Sequence, residues 1–284
     1  MTSRWAEHLA QRIAEKDFIL FLGAGVSRNS VNESGNSPST WDQLLKALQD
    51  KCGDFAQKEA AKALSIGDYL AAAQIIEFDL VRSGLVQDFR STIKELTDGP
   101  KNDFFQGSDV HAALLDLQPL IVVTTNYDKI FERASLDAFH VHKYDSTSIG
   151  SDVRRGEAIL LKIHGSVDNI DQIVLTRTDY TRLRRDGAHA LDVLKALLFT
   201  RTALFVGYGL NDPDIELILE NTMGIYQDEP SHYLLCESGA PEHRRHTLAK
   251  CYGTQVVEYT SGEFLPSIIE LKQQVDALRS TGRS

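Results

Sequence analysis

The sequence lacks any uncharged apolar run of the roughly 18 residues that a membrane-spanning helix needs, so no membrane span is expected. Residues 1–18 (MTSRWAEHLAQRIAEKDF) carry acids among their bases and no continuous apolar stretch, which is unlike a secretory leader. The expectation is a cytoplasmic protein. Cysteine is scarce: Cys52, Cys236 and Cys251 stand far apart, and no C-x-x-C pair occurs. Structural zinc sites need clustered thiolate or imidazole ligands, so no metal is expected and the thiols are read as reduced. There is no G-K-[ST] of a Walker loop and no G-x-S-x-G elbow, which removes P-loop phosphate binding and the α/β-hydrolase triad.

Cations are in the minority as well. The formal charge is −10 and the pI about 5.4, a balance that argues against direct nucleic-acid binding, which needs clustered Lys and Arg to displace counterions. The local exception is the basic run 177–185 (RTDYTRLRR), read as a solvated helix face. What the chain does have is size: 284 residues, 42% of them hydrophobic. Such a length supports a single 1–284 unit with a core that needs no disulfide or metal.

Residues 4–16 place Trp5, Leu9 and Ile13 on one helical face. DFILFLGAGVS then reads as an apolar strand running into a glycine turn, and 29–40 (NSVNESGNSPST) as a polar, mobile loop. Thr40 before WDQLLKAL reads as an N-cap with an acid in the first turn. From 41 to 115 the pattern is helical, an insert after the first strand. Strand signals resume at 119–126, 140–144, 158–166, 202–209, 231–236 and 254–259. Helical patterns at 128–138, 188–200, 213–222, 241–251 and 263–279 separate most of them. Continuous apolar strands joined by helical crossovers indicate an α/β protein: a Rossmann-like, doubly wound, mostly parallel sheet with a helical insert after its first strand.

Ligands bind at the carboxyl ends of such strands, and four strands here end in polar or glycine clusters. Gly23-Ala24-Gly25-Val26-Ser27 would let a backbone approach a pyrophosphate, or is a turn without a ligand; Arg28 replaces the third glycine of the dinucleotide fingerprint. Thr124-Thr125-Asn126-Tyr127-Asp128 offers side chains to a ligand or caps the next helix. In Lys162-Ile163-His164-Gly165-Ser166 the imidazole suits proton transfer near neutral pH, or is a surface histidine bonded to backbone. Gly207-Tyr208-Gly209-Leu210-Asn211-Asp212-Pro213 reads as a second glycine turn, with Asp212 and Pro213 opening a helix.

The order GAGVS, TTNYD, KIHGS and FVGYGLNDPDI, spanning residues 18–215, resembles the sirtuin-like superfamily, and more narrowly the NAD-hydrolase branch found in bacterial anti-phage defence. Three features depart from the protein-deacylase sirtuins. The four-cysteine zinc module is absent, RNSVNESGNSPST stands where G-I-P-D-F-R would follow the glycine turn, and VGYGLNDPDI replaces the G-T-S-L type of turn. The resemblance implies NAD as substrate and its hydrolysis to nicotinamide and ADP-ribose, depleting the cell of NAD during infection. It places Gly23, Ala24, Gly25 and Ser27 at the pyrophosphate and Asn126, with Thr125 beside it, near the nicotinamide ribose and the incoming water. It makes His164 the catalytic histidine and sets Gly207 and Tyr208 against the adenosine. Asp128 bonds a ribose hydroxyl or caps its helix, the cap being favoured.

Asn126 has the donors and the acceptor to hold both a ribose hydroxyl and a water, and His164 can take up the proton that hydrolysis releases. The resemblance also implies regulation by assembly, as a homo-oligomer or with a partner defence protein such as a HerA-type ATPase or an Argonaute-type protein. Two other readings stay open at this level: a zinc-free NAD-dependent protein deacylase, which would consume NAD only with an acylated peptide, and a non-catalytic module that senses NAD or ADP-ribose.

Overall fold

The computed structural model describes residues 4–223 and 231–281; the outermost residues of the expected 1–284 unit lie outside the described residues. The strands are β1 (Phe18–Leu22), β2 (Ile121–Thr124), β3 (His140–Lys143), β4 (Ile159–Lys162), β5 (Thr202–Val206), β6 (His232–Glu237) and β7 (Thr254–Tyr259). Among the described residues they form one seven-stranded sheet in the order β3-β4-β2-β1-β5-β6-β7. Every pairing is parallel. The fold is therefore Rossmann-like and α/β, and its sheet is parallel throughout rather than mostly so.

Burial explains the strand order. All positions of β1, β2, β4 and β5 are buried, as their unbroken apolar runs require of strands covered on both faces. The edge strands β3 and β7 alternate or expose residues. Successive side chains point to opposite faces. Ile19, Phe21, Val123, Leu161 and Phe205 therefore join one core, with the helices Ala188–Thr200 and Pro213–Met223 over it. Phe18, Leu20, Leu22, Val122, Leu160 and Leu204 join the other, under the helices Glu7–Ala14, Asp109–Leu115 and Phe264–Thr281.

Of the helices between β1 and β2, Trp41–Gln49, Asp54–Ser65, Tyr69–Arg82 and Val86–Asp98 have a third core of their own, built on Leu44, Leu45, Leu48, Ile76, Leu80 and Ile93. This cluster also takes in Ile173 and Leu175 from the loop after β4 and packs on Tyr127. The helix Asp109–Leu115 instead packs on the sheet side, against the C-terminal helix. The Thr40 cap forms as expected: its side chain accepts from Gln43 N–H, and the Gln43 side chain accepts from Thr40 N–H, closing a capping box.

One reading of the surface changes and another gains detail. The 29–40 loop, expected to be mobile, is pinned: Ser30 and Asn32 are buried, Glu33 N–H and Ser34 Oγ–H donate to Asp103, and Ser39 N–H donates to Leu96 O. The basic run forms the helix Arg177–Asp186, with Tyr180 and Leu183 buried. Its arginines are ion-paired with Asp68, Asp179, Asp214 and Asp186, so it is a neutralised face rather than a cationic patch.

Strands run outward from β1 in both directions, β2, β4 and β3 to one side and β5, β6 and β7 to the other. The switch point of the topology lies between β1 and β5, where open α/β sheets leave a crevice at their carboxyl ends.

Candidate active site

At the switch point β1 and β5 turn against each other main chain to main chain. Gly23 N–H donates to Val206 O at 3.0 Å and Gly25 N–H to Gly207 O at 2.8 Å. A Cβ on Gly23 would lie 2.4 Å from Gly207 O, and one on Gly207, at φ +60°, would lie 2.4 Å from Val26 N. Only hydrogen fits at these positions. The glycines were expected to offer their N–H groups to a pyrophosphate. Those of Gly23 and Gly25 are instead engaged by the β5 side, and neither residue lines the cavity.

The cavity itself, about 240 Å³, opens beside this contact. Ala24, Ser27, Thr125, Asn126, Asp128, His164, Gly207 and Tyr208, expected from the sequence to share a site, all line it. No lysine or arginine lines it among the described residues, so a bound anion would be met by hydroxyls, amides and main chain.

Beyond β2, Thr124 Oγ1 donates to Leu22 O and accepts from Asn126 N–H, which ties the Asn126 loop to the end of β1. The Asn126 amide donates to Ser27 Oγ at 3.0 Å, and the Ser27 hydroxyl donates to Asp128 Oδ2 at 2.8 Å. Ser27 thus lines the cavity while its hydroxyl serves to orient Asn126. Asp128 Oδ1 accepts from Ile130 N–H at 3.0 Å, the capping role favoured from the sequence. Burial pushes the Asp128 carboxyl up to about 6, with Glu132 adding to the effect; Lys162, Ser27 and the Ile130 N–H work against it.

Beneath this network lies a buried ion pair. Lys162 Nζ, fully buried at the end of β4, sits 2.7 Å from Glu132 Oε1 and also donates to the Asp128 carbonyl.

His164, two residues past β4, lies with Nε2 3.0 Å from Asp212 Oδ2 but off the line of a good hydrogen bond. Tyr180 donates its hydroxyl to the same Oδ2, and its ring packs edge-on against the imidazole at 5.3 Å. The other oxygen of Asp212 accepts from the N–H groups of Asp214 and Ile215 and so caps the helix Pro213–Met223. Burial would raise the Asp212 carboxyl, yet the nearby His164 and the hydrogen bonds from Tyr180 and Ile215 outweigh it and hold the group near 2. Asp212 therefore stays ionised beside the imidazole, and the Tyr180 hydroxyl, desolvated and next to that carboxylate, is pushed well above its usual range. This arrangement can orient a histidine for proton transfer.

Sequence reasoning took Asp212 as a helix start, which it is, and missed its second task. The signal was N-D-P directly after a glycine turn at a strand end. Tyr180, inside the basic run, carried no signal. The wall supplied by Pro38, Ser39, Trp41, Leu44 and Thr97 was missed as well, because it depends on how the insert folds back.

Residues 120–257 match the SIR2-like domain. Over 234 residues, 81% of this chain and 45% of its relative, the sequence is 25% identical to the NAD(+) hydrolase ThsA of Enterococcus faecium. The protein of the same name from Bacillus cereus (strain MSX-D12) is 24% identical over 228 residues, 79% of this chain and 44% of that one. Defense-associated sirtuin 2 of Bacillus subtilis is 27% identical over 219 residues, covering 74% of this chain and 20% of that protein. The chain spans less than half the length of each of these relatives. Four strand ends converging at a parallel sheet's switch point agree with these matches: over residues 120–257 the chain is similar to SIR2-like domains.

Proposed function

We propose that this chain is an NAD+ glycohydrolase that cleaves the nicotinamide–ribose bond with water, giving nicotinamide, ADP-ribose and a proton, and that its biological role is NAD depletion in anti-phage defence. One observation carries the reading. Asn126 beyond β2 and His164 beyond β4 line a single cavity, and the histidine is backed by the buried carboxylate of Asp212. The names of the relatives point the same way.

Departure of nicotinamide leaves positive charge on the ribose and opens its anomeric carbon to water. The Asn126 NH2 already donates to Ser27, so its carbonyl oxygen is the end suited to a ribose hydroxyl or to the attacking water. His164 faces Asp212 through Nε2, which leaves Nδ1 for the proton that water gives up as its oxygen bonds to the sugar. Asp212 then stabilises the resulting imidazolium. General-base action of this kind contributes roughly 10²–10⁴-fold, and the remainder comes from positioning. No acylated peptide enters this scheme.

The test is nicotinamide release from NAD by the purified protein and by Asn126→Ala and His164→Ala, alongside their melting temperatures. The expected result is release without any added peptide, and loss of at least about 10²-fold in both variants at unchanged melting temperature. Turnover within about tenfold of the parent in either variant would remove that residue from the mechanism. A strict requirement for acylated peptide would replace hydrolysis with deacylation.

A further inference from the structure

Buried polar groups in folded proteins are almost always hydrogen-bonded, so one left alone on a cavity wall points to a ligand atom that completes it. Trp41 is such a group. Its indole Nε1 is buried with no hydrogen-bond partner among the described residues, and its side chain lines the cavity together with Pro38 and Leu44. The residue stands on the first turn of the helix Trp41–Gln49, fixed from behind by the Thr40 capping box and held flat against Tyr69, with ring centroids 5.5 Å apart at 26°. The Tyr208 hydroxyl, on the sheet side of the same cavity, is likewise buried without a partner.

We infer that Trp41 is a specificity-determining residue: its indole N–H donates to a neutral acceptor on a base of the bound dinucleotide, a carboxamide oxygen or a ring nitrogen. The helical segment between β1 and β2 thereby reads the ligand together with the sheet edge. An uncharged acceptor fits because this part of the wall is apolar and supplies no cation. A phosphate seated there would lose its hydration for a single neutral donor. The inference rests on the dinucleotide reading above, and its test separates the two.

The experiment measures binding without turnover. The probe is a carbocyclic NAD analogue in which a methylene replaces the oxygen of the nicotinamide ribose ring, so that no oxocarbenium-like sugar can form. The chain has two tryptophans, and Trp5 is buried elsewhere with its N–H donating to Ser267 O. In Trp5→Phe, emission therefore reports on Trp41 alone.

Titrating that variant with the analogue is expected to shift or quench the emission. Calorimetric titration of Trp41→Phe, which keeps the ring on Tyr69 and removes only the N–H, is expected to give a Kd raised about three- to tenfold, with the melting temperature unchanged. A Kd within twofold of the parent, or Trp41 emission indifferent to saturating analogue, overturns the inference while leaving the glycohydrolase reading intact. Absence of binding to the parent protein sinks that reading and this inference with it.

Discussion

Replacing Asp128 with asparagine should make the protein more stable at neutral pH, and progressively less so as the pH falls. Asp128 is buried, and its carboxyl is pushed up from 3.8 to about 6, chiefly by loss of water. A carboxyl whose folded value lies above its unfolded value binds a proton more tightly in the folded state. Stability is then greatest below the unfolded value and declines as the pH rises toward 6. At 1.36 kcal/mol per pKa unit, the charged form costs the fold about 3 kcal/mol above pH 6. Asparagine carries no charge. Its oxygen can still accept from Ile130 N–H, and its amide can donate to Ser27 Oγ, at the expense of the present Ser27 hydroxyl bond. The gain over the parent should therefore be largest at pH 8 and shrink on acidification, with about half of the 3 kcal/mol difference opening between pH 5 and pH 8. Urea unfolding of both proteins at four or five pH values in that window reads the difference directly. Parallel stability curves would refute the reasoning, because they would mean that Asp128 titrates alike in the folded and unfolded chains.

Lys162→Met should cost about 3–5 kcal/mol, since it strands the Glu132 carboxylate in the interior, whereas Lys162→Met with Glu132→Leu should recover most of the loss. A double variant as unstable as the single one, by urea unfolding, would show that the pair is not the source. Gly207→Ala should lower stability by at least about 1–3 kcal/mol and disturb the cavity, because it puts a Cβ 2.4 Å from Val26 N in a left-handed conformation. A melting temperature equal to the parent's would contradict the close contact between the β1 and β5 turns.

Local pattern made most of the sheet legible. Runs such as FILFL, IVVT, ILLK and TALFV have neighbours that bury both faces, and these four strands fall inside their expected spans, whereas β6 runs one residue past its own. The four strand ends could be grouped because parallel strands share a carboxyl edge, and that rule needs no side-chain contact. What stayed hidden depends on long-range packing. Lys162 stood unremarked at the head of KIHGS, and only the approach of Glu132 from the helix after β2 makes it an interior cation. Asp212 did what its local sequence indicated and, with its other oxygen, something that only the fold could bring about. Trp41 follows the Thr40 cap with nothing in its local sequence to say that it lines a cavity.

The contact of Gly23 and Gly25 with Gly207 and Tyr208 leaves no room on either turn for a side chain to grow. The floor of the cleft is in this sense cast in one piece. The side chains that the helices between β1 and β2 bring to the cavity are hung from a core separate from the two that hold the sheet. The protein thus divides into a rigid anvil and a separately built jaw, and altering the jaw need not disturb the anvil.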